Sequence, residues 1–178
     1  MSAARSLFDT IDIDVVEARA RRLDGPGATL VAAFMEAVLT EPPHRLVVGS
    51  RSARPTVAAA LSWGWTDETA GRALGVALGI AAGLGGRERI WCLLDADSCD
   101  EGGTWEAARA AAAAPAAALT AAVLVPAQER RTFGAFWDAA GWTVREVDGG
   151  SAWEIVGGLD QATAWGARPL ALLVVAPS

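Results

Sequence analysis

A chain of 178 residues, 52% hydrophobic and 20% charged, can bury one sizeable core and has the makeup of a globular protein. Its net charge of -6 argues against nucleic acid or an anionic membrane as partner, since both need clustered Lys and Arg. One histidine and two cysteines exclude a multi-histidine metal site, a zinc cluster and a disulfide framework.

The start, MSAARSLFDTIDID, turns acidic at once and has no apolar signal-peptide core, so a reducing cytoplasm is the expected compartment. IDVVEARARRL (13–23) has helical spacing and runs into the breaker DGPG. ATLVAAFMEAVL (28–39) is a second helix, stopped by tandem proline in EPPH, where His44 is expected at the surface. RLVVG (45–49) is the first strand, and RPTVAAALSWG (54–64) is the helix after it, ending at Gly64. In TDETAGRALGVALGIAAGLGG (66–86), Thr66 is the expected cap. Gly71, Gly75 and Gly79 share one face of that helix, which suits close packing against another backbone. Its apolar run is too short and glycine-rich to cross a bilayer.

RIWCLLD (89–95) is a strand that opens into the acidic stretch DADSCDEGG. Cys92 reads as packing, and so does Cys99, although an acidic loop is also a place for a reactive thiol. TWEAARAAAAA (104–114) is a helix ended by Pro115, with Asp100 or Thr104 as its cap. LTAAVLV (119–125), WTVREVD (142–148) and PLALLVVA (169–176) are strands, separated by helices in AQERRTFGAFWDAAG and SAWEIVGGLDQATAWG. Strands apolar on both faces, alternating with helices, predict a single α/β domain over residues 1–178, a parallel sheet with helices on both faces. Ligands of such sheets sit at the carboxyl ends of the strands, where the acidic stretch falls.

The chain resembles the N-terminal, diphosphate-binding half of transketolase, the PP-type domain of the thiamine diphosphate-binding fold. DGPGATL is similar to the family's Gly-His-Pro-Gly helix entry, and VVGSRSARPTVAAAL to its Ser-Lys-Gly-His-Ala segment. TAGRALGVALGIAAGL resembles a Gly-Ser-Leu-Gly-Gln-Gly-Leu-Gly helix start, and LLDADSCDEGGTWEAARAA a Gly-Asp-Gly loop followed by Glu-Gly and Trp-Glu-Ala. FGAFWDAAGWTVREVDGGSAWEIVGGLDQA is similar to the Gly-Trp, Val, Asp-Gly pattern near that domain's end. The resemblance implies thiamine diphosphate and Mg as cofactors. It also implies a split arrangement without a pyrimidine-binding domain, in which a separate C-terminal-half subunit supplies the activating glutamate within a hetero-oligomer.

Carried over position by position, the resemblance places the cofactor site at Gly25, Ser52, Asp95, Ala96, Asp97 and Ser98, with its chemistry altered. Family histidines fall on Gly25 and Ser52, the metal-binding Asp on Ala96, and the metal-binding Asn near Pro126. A methyl group cannot ligate magnesium, and Asp95, Asp97, Asp100 and Glu101 crowd the loop. Each unit-charge contact with phosphate at 4 Å costs about 1 kcal/mol in water and about 4 kcal/mol at an effective dielectric of 20. A one-residue slip of the loop would bring Asp95 or Asp97 to the metal; otherwise the site has lost thiamine diphosphate. Ser52 and Ser98 have no base nearby in sequence, so neither is expected to be a nucleophile.

Three functions follow as expectations. The first is a half-subunit for thiamine diphosphate-dependent two-carbon ketol transfer. The second is a non-catalytic pseudo-subunit that stabilises or regulates a transketolase-like partner. The third is a binder of another small molecule, with the acidic loop favouring a cation. Eight tryptophans against no tyrosine reflect in part codon bias toward Ala, Arg and Gly and in part an interface, with Trp63, Trp65, Trp105 and Trp137 as its candidates and core packing as the alternative for some of them.

Overall fold

The computed structural model describes residues 6–25, 27–40, 44–61, 65–85, 88–114, 119–161 and 168–176. Trp63, the breakers at Pro42, Gly64 and Pro115, and the side chains of His44 and Trp65 lie outside what is described.

Six parallel strands form one sheet in the order β2-β1-β3-β4-β6-β5. They are β1 (His44–Val48), β2 (Trp65–Asp67), β3 (Arg89–Asp95), β4 (Leu119–Val125), β5 (Thr143–Asp148) and β6 (Leu170–Val175). The five predicted strands are all present, and the α/β parallel architecture is the one expected. β2 was not anticipated. Its Thr66 was expected to cap a helix, but Thr66 pairs with Val47 and Asp67 with Val48, so the sheet claims those residues. The following helix, α4 (Ala70–Leu84), starts later, with Thr69 at its N-cap and no side-chain capping bond.

Side chains alternate across the sheet, as period-2 geometry requires. On β3, Trp91 and Leu93 enter one core while Ile90, Cys92 and Leu94 enter the other. The first core lies under α1 (Ile13–Ala20), α2 (Ala28–Thr40), α3 (Arg54–Ala60) and α8 (Ala152–Gln161). The second lies under α4, α5 (Ala96–Cys99), α6 (Gly102–Ala113) and α7 (Arg130–Ala139). The chain therefore leaves β1 toward one face, into α3, and leaves β3 toward the other, into α5 and α6. The carboxyl ends of β1 and β3 frame the crevice where doubly wound sheets place ligands.

Two of the four tryptophan candidates have described side chains. Trp105 is 42% exposed, but Trp137 is fully buried, edge-on to Trp142 at 4.8 Å. Trp153, which was not singled out, is 64% exposed.

The glycine face of α4 is used unevenly. A Cβ on Gly71 would meet the Glu101 Cβ at 3.0 Å, one on Gly75 would touch Ala107 at an ordinary 3.9 Å, and one on Gly79 would meet nothing within 4 Å. Gly79 is exposed inside a helix, so Gly79→Ala should stabilise the fold by about 0.5–1 kcal/mol. A raised urea midpoint at unchanged slope is the expected reading, and a lowered midpoint contradicts the packing described.

Candidate functional site

A cavity of about 770 Å3 opens at the carboxyl edge of the sheet, bordered by the N-terminus of α2 and the segments following β1, β3, β4, β5 and β6. Five of the six predicted site residues line it: Gly25, Ser52, Asp95, Ala96 and Asp97. Ser98 does not; it is fully buried behind Asp95.

The α1–α2 connection forms one wall and depends on glycine. Gly25 has φ 103° and Gly27 φ 74°, a left-handed backbone that side chains with a Cβ resist. A Cβ on Gly25 would also lie 2.8 Å from Thr56 Oγ1, whose hydroxyl donates to the Asp24 carbonyl at 2.7 Å. The position that resemblance assigned to a histidine therefore has no room for one in this backbone.

Asp95, the last residue of β3, is the centre of the second wall. One carboxylate oxygen, Oδ1, accepts from Ser98 N at 3.0 Å and Ser98 Oγ at 2.5 Å. The other, Oδ2, accepts from Ser50 Oγ at 2.9 Å, Ser52 N at 3.2 Å and Ser52 Oγ at 3.2 Å. Ser98 Oγ also lies 3.2 Å from the Gly49 carbonyl. The network ties the turn after β1 to the end of β3, across the crevice itself. Burial alone would raise the Asp95 pKa, but hydrogen bonds from Ser98, Ser52 and Ser50 outweigh it and hold the carboxyl below its ordinary value.

This arrangement corrects one expectation: neither Asp100 nor Thr104 caps the helix that follows the acidic stretch. Residues 96–99 are helix α5, with Asp95 and Ser98 forming a reciprocal capping box. Thr104 Oγ1 instead donates to the Ser98 carbonyl at 2.7 Å, and Glu101 stands at the N-cap of α6 without a side-chain bond. Asp95 is in register opposite Leu124 and is the N-cap of α5, and Asp95, Ala96 and Asp97 all line the cavity wall.

Magnesium diphosphate fits this donor set poorly. Ala96 and Pro126 line the cavity where metal ligands were expected and carry no ligating side-chain atom. Both Asp95 oxygens already accept hydrogen bonds from the protein, leaving Asp97 as the one carboxylate of the wall without such partners. Among the described residues no group of three His, Cys, Asp or Glu converges as a metal site. Crowding is less severe than expected, because Asp100 and Glu101 do not line the cavity.

The cysteines are packing residues. Burial, with Cys99 nearby, raises the Cys92 pKa well above the ordinary thiol value. Burial, with Asp95 and Asp100 nearby, pushes Cys99 up to about 12. Neither thiol ionises near neutral pH, which removes the reactive reading of Cys99.

Sequence reasoning missed Arg51, Leu124 and Val174, which also line the cavity. A signal for Arg51 existed: it lies between two serines in GSRSA, directly after a strand that ends at the ligand edge.

No protein-family model and no curated protein matches the chain. Solved structures do. A transketolase from Pichia stipitis, complexed with fructose 6-phosphate, superposes with a TM-score of 0.65 at 17% identity, over 92% of this chain and 34% of that one. Transketolase from Leishmania mexicana gives 0.67 at 13% identity, over 93% and 37%. An enzyme from Mycobacterium smegmatis assigned to the thiamin diphosphate-dependent class gives 0.64 at 15%, over 84% and 32%. The chain thus spans about a third of the length of these relatives and shares the fold of that part. No described helix is long and apolar enough to cross a membrane.

Proposed function

We propose that this chain is a transketolase-like domain that has given up magnesium–thiamine diphosphate and acts as a non-catalytic partner of a pyrimidine-binding domain of transketolase type. The carrying observation is the state of Asp95. In a magnesium site a carboxylate presents free lone pairs to the ion. Here five donors surround it, and the three from Ser50 and Ser52 tie it to the turn across the crevice. A diphosphate entering the same cavity would meet Asp97 without a cation between them.

One observation favours the catalytic half-subunit as a second reading. The N-terminal turn of α2 borders the cavity, and a helix N-terminus attracts anions. On that reading the separate C-terminal half would supply the activating glutamate and the missing metal ligands.

Calorimetry separates the two. Magnesium and thiamine diphosphate, titrated into the chain alone and into a mixture with a transketolase C-terminal half, should give no metal-dependent heat. The chain and that half should nevertheless elute together on size exclusion. Micromolar, magnesium-dependent binding in the mixture overturns the non-catalytic reading in favour of the second, and separate elution overturns the partnership.

A further inference from the structure

The cavity carries two unspent charges of opposite sign. Arg51, on the turn after β1, and Asp97, in α5, both line it, and both are exposed. Neither side chain makes an ion pair or hydrogen bond among the described residues, so they do not neutralise each other. Other arginines in reach of a carboxylate do pair: Arg19 with Glu36 at 3.0 Å, Arg45 with Glu88 at 2.7 Å, and Arg54 with Asp67 at 2.7 Å. Arg51 and Asp97 share the cavity lining with Ala96, Leu124, Pro126 and Val174. The third charged group, Asp95, keeps its charge, but its oxygens are already engaged by its serines.

Resting on the reading above, we propose that this cleft binds a small zwitterion with an apolar body, of amino-acid chemistry. Its carboxylate meets Arg51, and its ammonium meets Asp97. Guanidinium and carboxylate pair through parallel N–H···O bonds, and the N-terminal turn of α2 on the same cavity adds favourable potential for the anionic end. The apolar body displaces water from the aliphatic wall, and a chamber of about 770 Å3 has room for an aromatic side chain. Ligands of single charge fit worse. A cation leaves Arg51 without a counter-charge, and an anion leaves Asp97 without one.

The test titrates L-tryptophan and L-leucine into the full chain beside tryptamine and indole-3-propionate, each of which lacks one charge. The zwitterions should bind about ten-fold or more tightly than either analogue. In Arg51→Gln, tryptophan should lose its advantage over tryptamine; in Asp97→Asn, it should lose its advantage over indole-3-propionate. Both side chains are exposed, so both variants should keep the parent melting temperature, which makes lost binding a local effect. Absence of heat from both zwitterions overturns the assignment, and so does binding that ignores the two substitutions. If neither the zwitterions nor magnesium–thiamine diphosphate binds, this inference fails while the non-catalytic reading stands. Metal-dependent binding of thiamine diphosphate overturns both.

Discussion

Asp95→Ala should lower the unfolding free energy by about 3 kcal/mol at neutral pH, without any ligand present. Ser50 and Ser98 are fully buried and donate to the Asp95 carboxylate; losing it strands the Ser98 N–H and leaves the Ser98 and Ser50 hydroxyls only the Gly49 carbonyl and the Ser52 hydroxyl as acceptors. Each stranded donor costs about 1–3 kcal/mol, offset in part because the buried carboxylate no longer has to be desolvated. Ser52 is exposed and can turn to solvent, so its two bonds contribute less. The pH dependence identifies the cause. Because the folded-state carboxyl titrates below its ordinary value, the parent holds this stabilisation in full above about pH 4. It loses it as pH falls through the depressed folded value. The gap between parent and Asp95→Ala in urea unfolding should therefore be largest at neutral pH and shrink in acid. Asp95→Asn keeps a carbonyl acceptor and should fall between the two, with the acid dependence gone. A gap that grows in acid, or parent stability that rises with added magnesium, would mean that the carboxylate is not committed to its serines.

That network shows where sequence reasoning reaches and where it stops. The strands of the sheet interior announce themselves as apolar runs because both their faces are covered, and RIWCLLD and LTAAVLV match β3 and β4 residue for residue. β2 has three residues, Trp65–Asp67, of which two are polar, and nothing in so short an edge strand separates it from a helix cap. The edge of the sheet was legible from an acidic residue closing a strand, and the residues of the site from the family resemblance, five of whose six positions line one cavity. The chemical state of Asp95 was not legible, because three of its five donors come from the turn after β1, brought alongside by the β1–β3 register. An acidic run is solvated unless donors converge on it, and convergence is a property of the sheet. Trp137 was misplaced for a related reason: α7 buries Phe133, Phe136 and Trp137 on one face, and the burying partner Trp142 arrives only after the helix has turned back.

Gly103→Ala should cost about 3 kcal/mol, at the upper end of overpacking effects. The added methyl would fall against the Gly71 carbonyl oxygen of α4, with the carbonyl carbon at 3.2 Å. That neighbour is backbone, so no rotamer change relieves the clash, and α4 and α6 must separate. The neighbouring Gly102 is the control: a Cβ there meets nothing within 4 Å, and Gly102→Ala should lose nothing. The consequence extends to the cleft. Thr104, one residue beyond Gly103, holds the Ser98 carbonyl at the end of α5, and α5 carries both Asp97 and the Ser98 donors to Asp95. Moving α6 outward withdraws that support, so Gly103→Ala should weaken zwitterion binding as well as stability, whereas Gly79→Ala on the same α4 face should leave binding untouched. Equal stability of the Gly103→Ala and Gly102→Ala variants would show that the two helices do not meet backbone to backbone. Lost stability with unchanged binding would show that α6 packs the domain without shaping its cleft.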